Sequence, residues 1–196
     1  NQVNGTTVKS LQNYLFKNNK TLQHIELPDT ILDVGLGTFQ NCSNLNFVKL
    51  PANITVLYEY TFKNCTALKS ITLPNTLIEI RSDCFRNSGL ESIDFPDSLT
   101  DIWQYTFGFC ENLSTVNLNK VEYIGDMAFQ DCTNLTAIEL PETLKDFGQY
   151  VFSNCSLLED ITLPDVKLDL HYSSFYNTEY FNTKSNWENE VLYIGK

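Results

Sequence analysis

Five of the six cysteines, Cys42, Cys65, Cys110, Cys132 and Cys155, stand three residues after a phenylalanine, and Ser88 and Thr178 hold the same place in two further copies. Thiols at regular intervals could ligate zinc or form cross-links. Zinc needs four donors converging as a tetrahedron, which a straight column of side chains pointing one way cannot supply. No Cys-x-x-Cys pair is present either. A disulfide between neighbouring copies would require a torsion that parallel side-chain vectors make awkward. The expected state is a small, buried thiol, and Cys84, just before Phe85, is assigned to the same core.

Acid, base and nucleophile chemistry has little to build on. The two histidines, His24 and His171, are nearly 150 residues apart. Neither is expected to be placed to activate a serine through a hydrogen bond, and no Gly-x-Ser-x-Gly elbow or glycine-rich phosphate loop occurs. Carboxylate pairs are common in an acidic chain and none falls in an expected pocket. The reading is therefore of a non-enzyme without cofactor or metal. Asn-x-Ser/Thr sequences begin at Asn4, Asn19, Asn41, Asn53, Asn64, Asn112, Asn134 and Asn154. Asn41, Asn64 and Asn154 each precede a cysteine, so turn chemistry accounts for them without a sugar.

These residues are positioned by a repeat. The six prolines, Pro28, Pro51, Pro74, Pro96, Pro141 and Pro164, are spaced by 23, 23, 22, 45 and 23 residues, with Asn119 in the vacant place. Phe16, Phe39, Phe62, Phe85, Phe107, Phe129, Phe152 and Phe175 step by 23, 23, 23, 22, 22, 23 and 23. Between them the pattern Phe39, Cys42, Leu45, Val48, Leu50, Pro51 recurs, as in Phe129, Cys132, Leu135, Ile138, Leu140, Pro141. Steps of three followed by a step of two predict a tight helical turn feeding one strand per period. Proline then ends the strand because it has no N–H to give. A second apolar set, Val34, Leu57, Ile80, Ile102, Ile124, Phe147 and Leu170, closes the coil on the return side.

A unit this short cannot bury its apolar side alone, so about eight repeats of 22–23 residues are expected to stack with a continuous core. The body would be roughly 35 to 40 Å long at the usual strand spacing, with parallel strands on a concave face. The whole chain, 1–196, reads as one solenoid domain: a partial repeat at 1–20, regular repeats at 21–178 and a closing segment at 179–196. It starts at Asn1 and ends on Val191-Leu192-Tyr193-Ile194-Gly195-Lys196, which suggests a fragment of a longer chain.

Composition narrows the partners. With 42% hydrophobic residues the chain should fold, and no apolar run approaches the roughly 20 residues needed to cross a bilayer. A formal charge of −11 would repel phosphate backbones, so nucleic acid is not an expected partner.

The motif Leu-x-x-Ile-x-Leu-Pro followed by Ala-Phe-x-x-Cys-x-x-Leu, with Met127-Ala128-Phe129-Gln130-Asp131-Cys132-Thr133-Asn134-Leu135 as a clear copy, resembles the BspA-like, treponemal type of leucine-rich repeat. The resemblance covers roughly residues 8–180, and Trp187 to Gly195 is similar to the segment that closes one array in that family. It implies a right-handed, mainly β solenoid with short helical turns. It also implies a secreted or cell-surface protein involved in adhesion to host proteins.

Function would then sit on the outward residues of the strands, which stacking leaves free to vary. Alternation about the inward Ile or Val gives His24/Glu26, Phe47/Lys49, Ser70/Thr72, Ser92/Asp94, Thr115/Asn117, Ala137/Glu139 and Asp160/Thr162. On this polar, mildly acidic stripe Phe47 is the residue a merely solvated face would not need. The expected partner is a protein, such as a host matrix or surface protein. A spacer or stalk without a ligand, or a glycan-binding surface, are the alternatives. Tyr60, Tyr105 and Tyr150, at one repeat position, and Tyr58 and Trp103, at another, form a second candidate surface on the return side, unless their rings only shield the core.

Overall fold

The computed structural model describes residues 2–3, 6–165, 171–188 and 191–192. Asn4, Leu170 and the tail from Tyr193, singled out above, lie outside the described residues. The eight phenylalanines form one internal column. From Phe16 to Phe175 each ring stacks on the next at 5.2 to 5.9 Å between centroids. The rings from Phe39 onward are wholly buried. Leucine columns run beside them through Leu45, Leu68, Leu90, Leu113, Leu135 and Leu158, all fully buried. Each coil thus lends its apolar side to its two neighbours.

Most periods carry two short strands rather than the single one expected. Three-residue strands occur at His24–Glu26, Phe47–Lys49, Ser92–Asp94, Thr115–Asn117, Ala137–Glu139 and Asp160–Thr162. Two-residue strands lie on the return side at Val56–Leu57, Glu79–Ile80, Asp101–Ile102, Tyr123–Ile124 and Asp146–Phe147. These pair parallel, like position with like position, in an unbroken five-stranded ladder. Two residues are too few for an alternation to register in the sequence, which is why the second strand was not legible.

The strand face is interrupted. Its strands pair two by two, as His24↔Phe47, Ser92↔Thr115 and Ala137↔Asp160, and residues 70–72 pair on neither side. Two of the breaks coincide with the 22-residue steps. Ser88-Gly89-Leu90 is one residue shorter than Cys65-Thr66-Ala67-Leu68, and Asn119-Lys120-Val121 is one shorter than Pro96-Asp97-Ser98-Leu99. The shorter corner draws the chain close to its neighbour: a Cβ on Gly89 would collide with the Thr66 carbonyl oxygen, so only glycine fits.

The predicted helical turns are runs of three-residue-spaced turns in which, for example, Lys63 N–H donates to Tyr60 and Cys65 N–H to Phe62. Two repeat positions are left-handed, besides the single corner residue Asn119. One is held by Tyr14, Gly37, Tyr60, Asp83, Tyr105, Met127 and Tyr150, the other by Asn18, Asn41, Asn64, Asn87, Phe109, Asp131, Asn154 and Asn177. The turns also bond from coil to coil, since Phe39, Phe62, Phe85 and Phe107 each donate their N–H to the residue before the next phenylalanine. All six cysteines are buried and free. The Cys65 thiol donates to the Phe39 carbonyl at 3.2 Å and the Cys155 thiol to Phe129 at 3.1 Å, so the column is satisfied inside the core.

Candidate recognition surface

All the outward strand residues named from the sequence are solvent-exposed on one face: His24, Glu26, Phe47, Lys49, Ser70, Thr72, Ser92, Asp94, Thr115, Asn117, Ala137, Glu139, Asp160 and Thr162. Between them Val48, Ile93, Ile138 and Ile161 turn into the core. Within each strand pair the parallel register sets an outward residue beside its counterpart in the adjoining coil, so side chains from different repeats act together.

At one end of the face the His24 ring lies flat on Phe47, 4.4 Å between centroids. Glu26 reaches His24 at 3.4 Å and Lys49 at 3.9 Å. Phe47 is 43% exposed, an apolar surface held upright by its neighbour. Beside it the unpaired segment 70–72 leaves a groove of about 420 Å³ lined by Phe47, Lys49, Ser70, Thr72 and Leu73. A second groove, of about 390 Å³, continues from Ser70 and Thr72 to Ser92 and Asp94, and a third lies between Asn117 and Glu139 at the other break. The grooves follow the interruptions in the ladder.

On the tyrosine surface, several of the aromatic faces are already occupied. Lys63 lies 5.0 Å from the centre of Tyr60, Arg81 5.0 Å from Tyr58 and Arg86 4.6 Å from Tyr105. Trp103 leans on Tyr123 at 5.5 Å. Trp103 and Tyr150 remain 40% and 39% exposed.

One expectation about the histidines needs correction: His171 does contact a serine. Its Nδ1 lies 2.6 Å from Ser173 Oγ and accepts the Ser173 N–H at 3.3 Å. This is the N-cap of the four-residue helical turn Tyr172–Phe175, and Ser173 is only 2% exposed, so the hydroxyl is closed to substrate. Burial pushes the thiols of Cys42, Cys65, Cys84, Cys110 and Cys132 up, away from the reactive thiolate. No three His, Cys, Asp or Glu side chains among the described residues gather as metal ligands do.

The BspA-type leucine-rich repeat region matches residues 3–114 and 102–196, together nearly the whole chain. The chain belongs to the BspA-type leucine-rich repeat family. A leucine-rich repeat protein from Bacteroides ovatus is 30% identical with a TM-score of 0.81, over 88% of this chain and 45% of that protein. This chain therefore spans less than half the length of that protein. The leucine-rich repeat protein of T. pallidum, 24% identical with a TM-score of 0.62 over 85% of this chain and 69% of its own, shares the fold. No curated protein matches.

The sequence reading missed a feature of this BspA-type array, a ladder of side-chain amides along the second left-handed position. Asn41 donates to Asn18 at 2.7 Å, Asn64 to Asn41 at 2.6 Å and Asn87 to Asn64 at 2.8 Å. Farther on, Asn154 donates to Asp131 and Asn177 to Asn154, both at 3.1 Å. Asparagine suits both demands, since it tolerates positive φ and carries a donor and an acceptor. Three of the glycosylation-like sequences belong to this ladder, and the signal was the fixed spacing of their asparagines.

Proposed function

We propose that this BspA-type array is a secreted or cell-surface adhesion module that binds an extracellular protein through its strand face. The observation that carries this reading is Phe47, a large ring kept exposed by stacking on His24 and flanked by Glu26, Lys49 and a groove. An aromatic anchor beside charged residues on an extended face is a common arrangement of protein interfaces. The mildly acidic remainder, with Asp94, Glu139 and Asp160 against Lys49, suits a partner with a basic patch. Leucine-rich repeat solenoids generally serve as interaction scaffolds.

A screen of the immobilised chain against extracellular-matrix and serum proteins tests the reading. Binding should occur, and Phe47→Ala with Lys49→Glu should weaken it. If those substitutions leave adhesion of the parent chain intact while removal of whole repeats abolishes it, the array is a spacer. Its unbroken return ladder would suit that role.

A further inference from the structure

Phe109 breaks two rules that its row otherwise keeps. Seven of the eight residues at the second left-handed position are Asn or Asp, and the eighth is Phe109 at φ 63°. A bulky side chain pays a steric cost in that region that asparagine largely avoids. It also cannot join the amide ladder. Asn87 Oδ1, which a donor from this position would meet, accepts no hydrogen bond among the described residues. The next residue in the row is Asp131, which has no donor to offer to Phe109. The local preference is sacrificed here, and such conflicts concentrate where a surface has another task.

The surroundings indicate what that task is. The Arg86 guanidinium is 4.9 Å from the centre of Phe109 and 4.6 Å from that of Tyr105. Arg86 Nη1 reaches Asp83 at 3.0 Å, and Lys63 Nζ reaches the same carboxylate oxygen at 2.7 Å. Two cations thus share one acid, and Nε and Nη2 of Arg86 have no partner among the described residues. A shallow depression of about 400 Å³ is lined by Lys63, Asn64, Arg86, Asn87, Phe109 and Glu111. It combines two cations, a vacant amide oxygen and a part-exposed ring.

We propose that this depression binds a sugar bearing a carboxylate, at a site separate from the strand face. The carboxylate meets Arg86 and Lys63, a hydroxyl donates to Asn87 Oδ1, and the carbon side of the ring lies against Phe109. Glu111 at the rim disfavours a more highly charged ligand such as a phosphate.

The test is saturation-transfer NMR and calorimetry on the full chain with three probes: 3′-sialyllactose, glucuronic acid and neutral lactose. Binding of either acidic probe with lactose inert is expected, and which acid binds tells a sialylated glycan from a uronate polymer. Phe109→Asn restores the rung to Asn87, so its thermal midpoint should equal or exceed the parent's while affinity for the acidic probe falls by about tenfold or more. Arg86→Gln should lose binding likewise, with protein binding by the strand face unchanged. Three results would overturn the site: no acidic probe bound at about 10 mM, lactose bound equally well, or parental affinity in both variants.

Discussion

Asn64 Nδ2 donates to Asn41 Oδ1 across 2.6 Å, although the two residues are 23 apart in the chain. Asn64 in turn accepts from Asn87 at 2.8 Å, so it is a middle rung bonded above and below. Its φ of 60° adds a backbone demand that glycine meets freely and alanine does not. Asn64→Gly should therefore lose only the rungs, about 1 kcal/mol for these part-exposed bonds. Asn64→Ala should lose a further ~1 kcal/mol to the left-handed backbone. Chemical denaturation of both variants checks the order, and an alanine variant as stable as the glycine one would refute the strain argument.

Phe107 is stacked on Phe85 at 5.3 Å and on Phe129 at 5.2 Å, with no exposed surface. Phe107→Ala should cost about 3 to 5 kcal/mol, because the cavity opens between two coils that cannot both collapse into it. Phe16 stacks on Phe39 and is only half-buried, so Phe16→Ala should cost visibly less. Equal losses in urea denaturation would mean that the column does not carry the stack.

What could be read from the sequence was what repeats with a distinctive side chain. Phenylalanine every 22 or 23 residues marks the core column, and proline marks the corner, because each residue type answers one physical demand. The outward strand residues followed from alternation about Val48, Ile93 or Ile138. The return strands did not, since two residues fit any pattern. The pairing break between 47–49 and 70–72, where the step is a full 23 residues, depends on how neighbouring coils settle, which no single repeat encodes. The amide ladder was in principle visible in the asparagine spacing, but a hydrogen bond between coils becomes an argument only once they are stacked.

The cysteine column should be chemically silent. Six buried thiols, five of them pushed upward in pKa by burial, should resist a thiol reagent for minutes at neutral pH and react fully in denaturant. For Cys110 burial outweighs the hydrogen bonds from Ser88 and raises the ordinary 9.0 to about 11. The sign follows from linkage: between these values the unfolded thiol has lost its proton and the folded one has not. Stability is therefore intact below about 9 and falls as pH rises towards about 11. A flat denaturation midpoint from pH 8 to pH 11 would contradict this, and Cys110→Ser should flatten part of the decline.

Phe47 should separate binding from folding. Its ring lies on His24 at the surface and is 43% exposed, so Phe47→Ala gives up at most one exposed aromatic contact, about 1 kcal/mol or less. For a chain of 196 residues that is a fall of about 2–4 °C in Tm. If Phe47 anchors a protein partner, its loss at the interface should exceed about 2 kcal/mol, roughly thirtyfold in Kd, because buried aromatic anchors dominate such contacts. Trp103→Ala on the return side is the control, since Trp103 is 40% exposed and far round the coil from the strand face. Surface plasmon resonance with a partner from the screen, run beside thermal melts, compares the two. Should Trp103→Ala abolish binding while Phe47→Ala leaves it intact, recognition lies on the return side, because the two aromatic side chains are nearly equally exposed and stand on different faces.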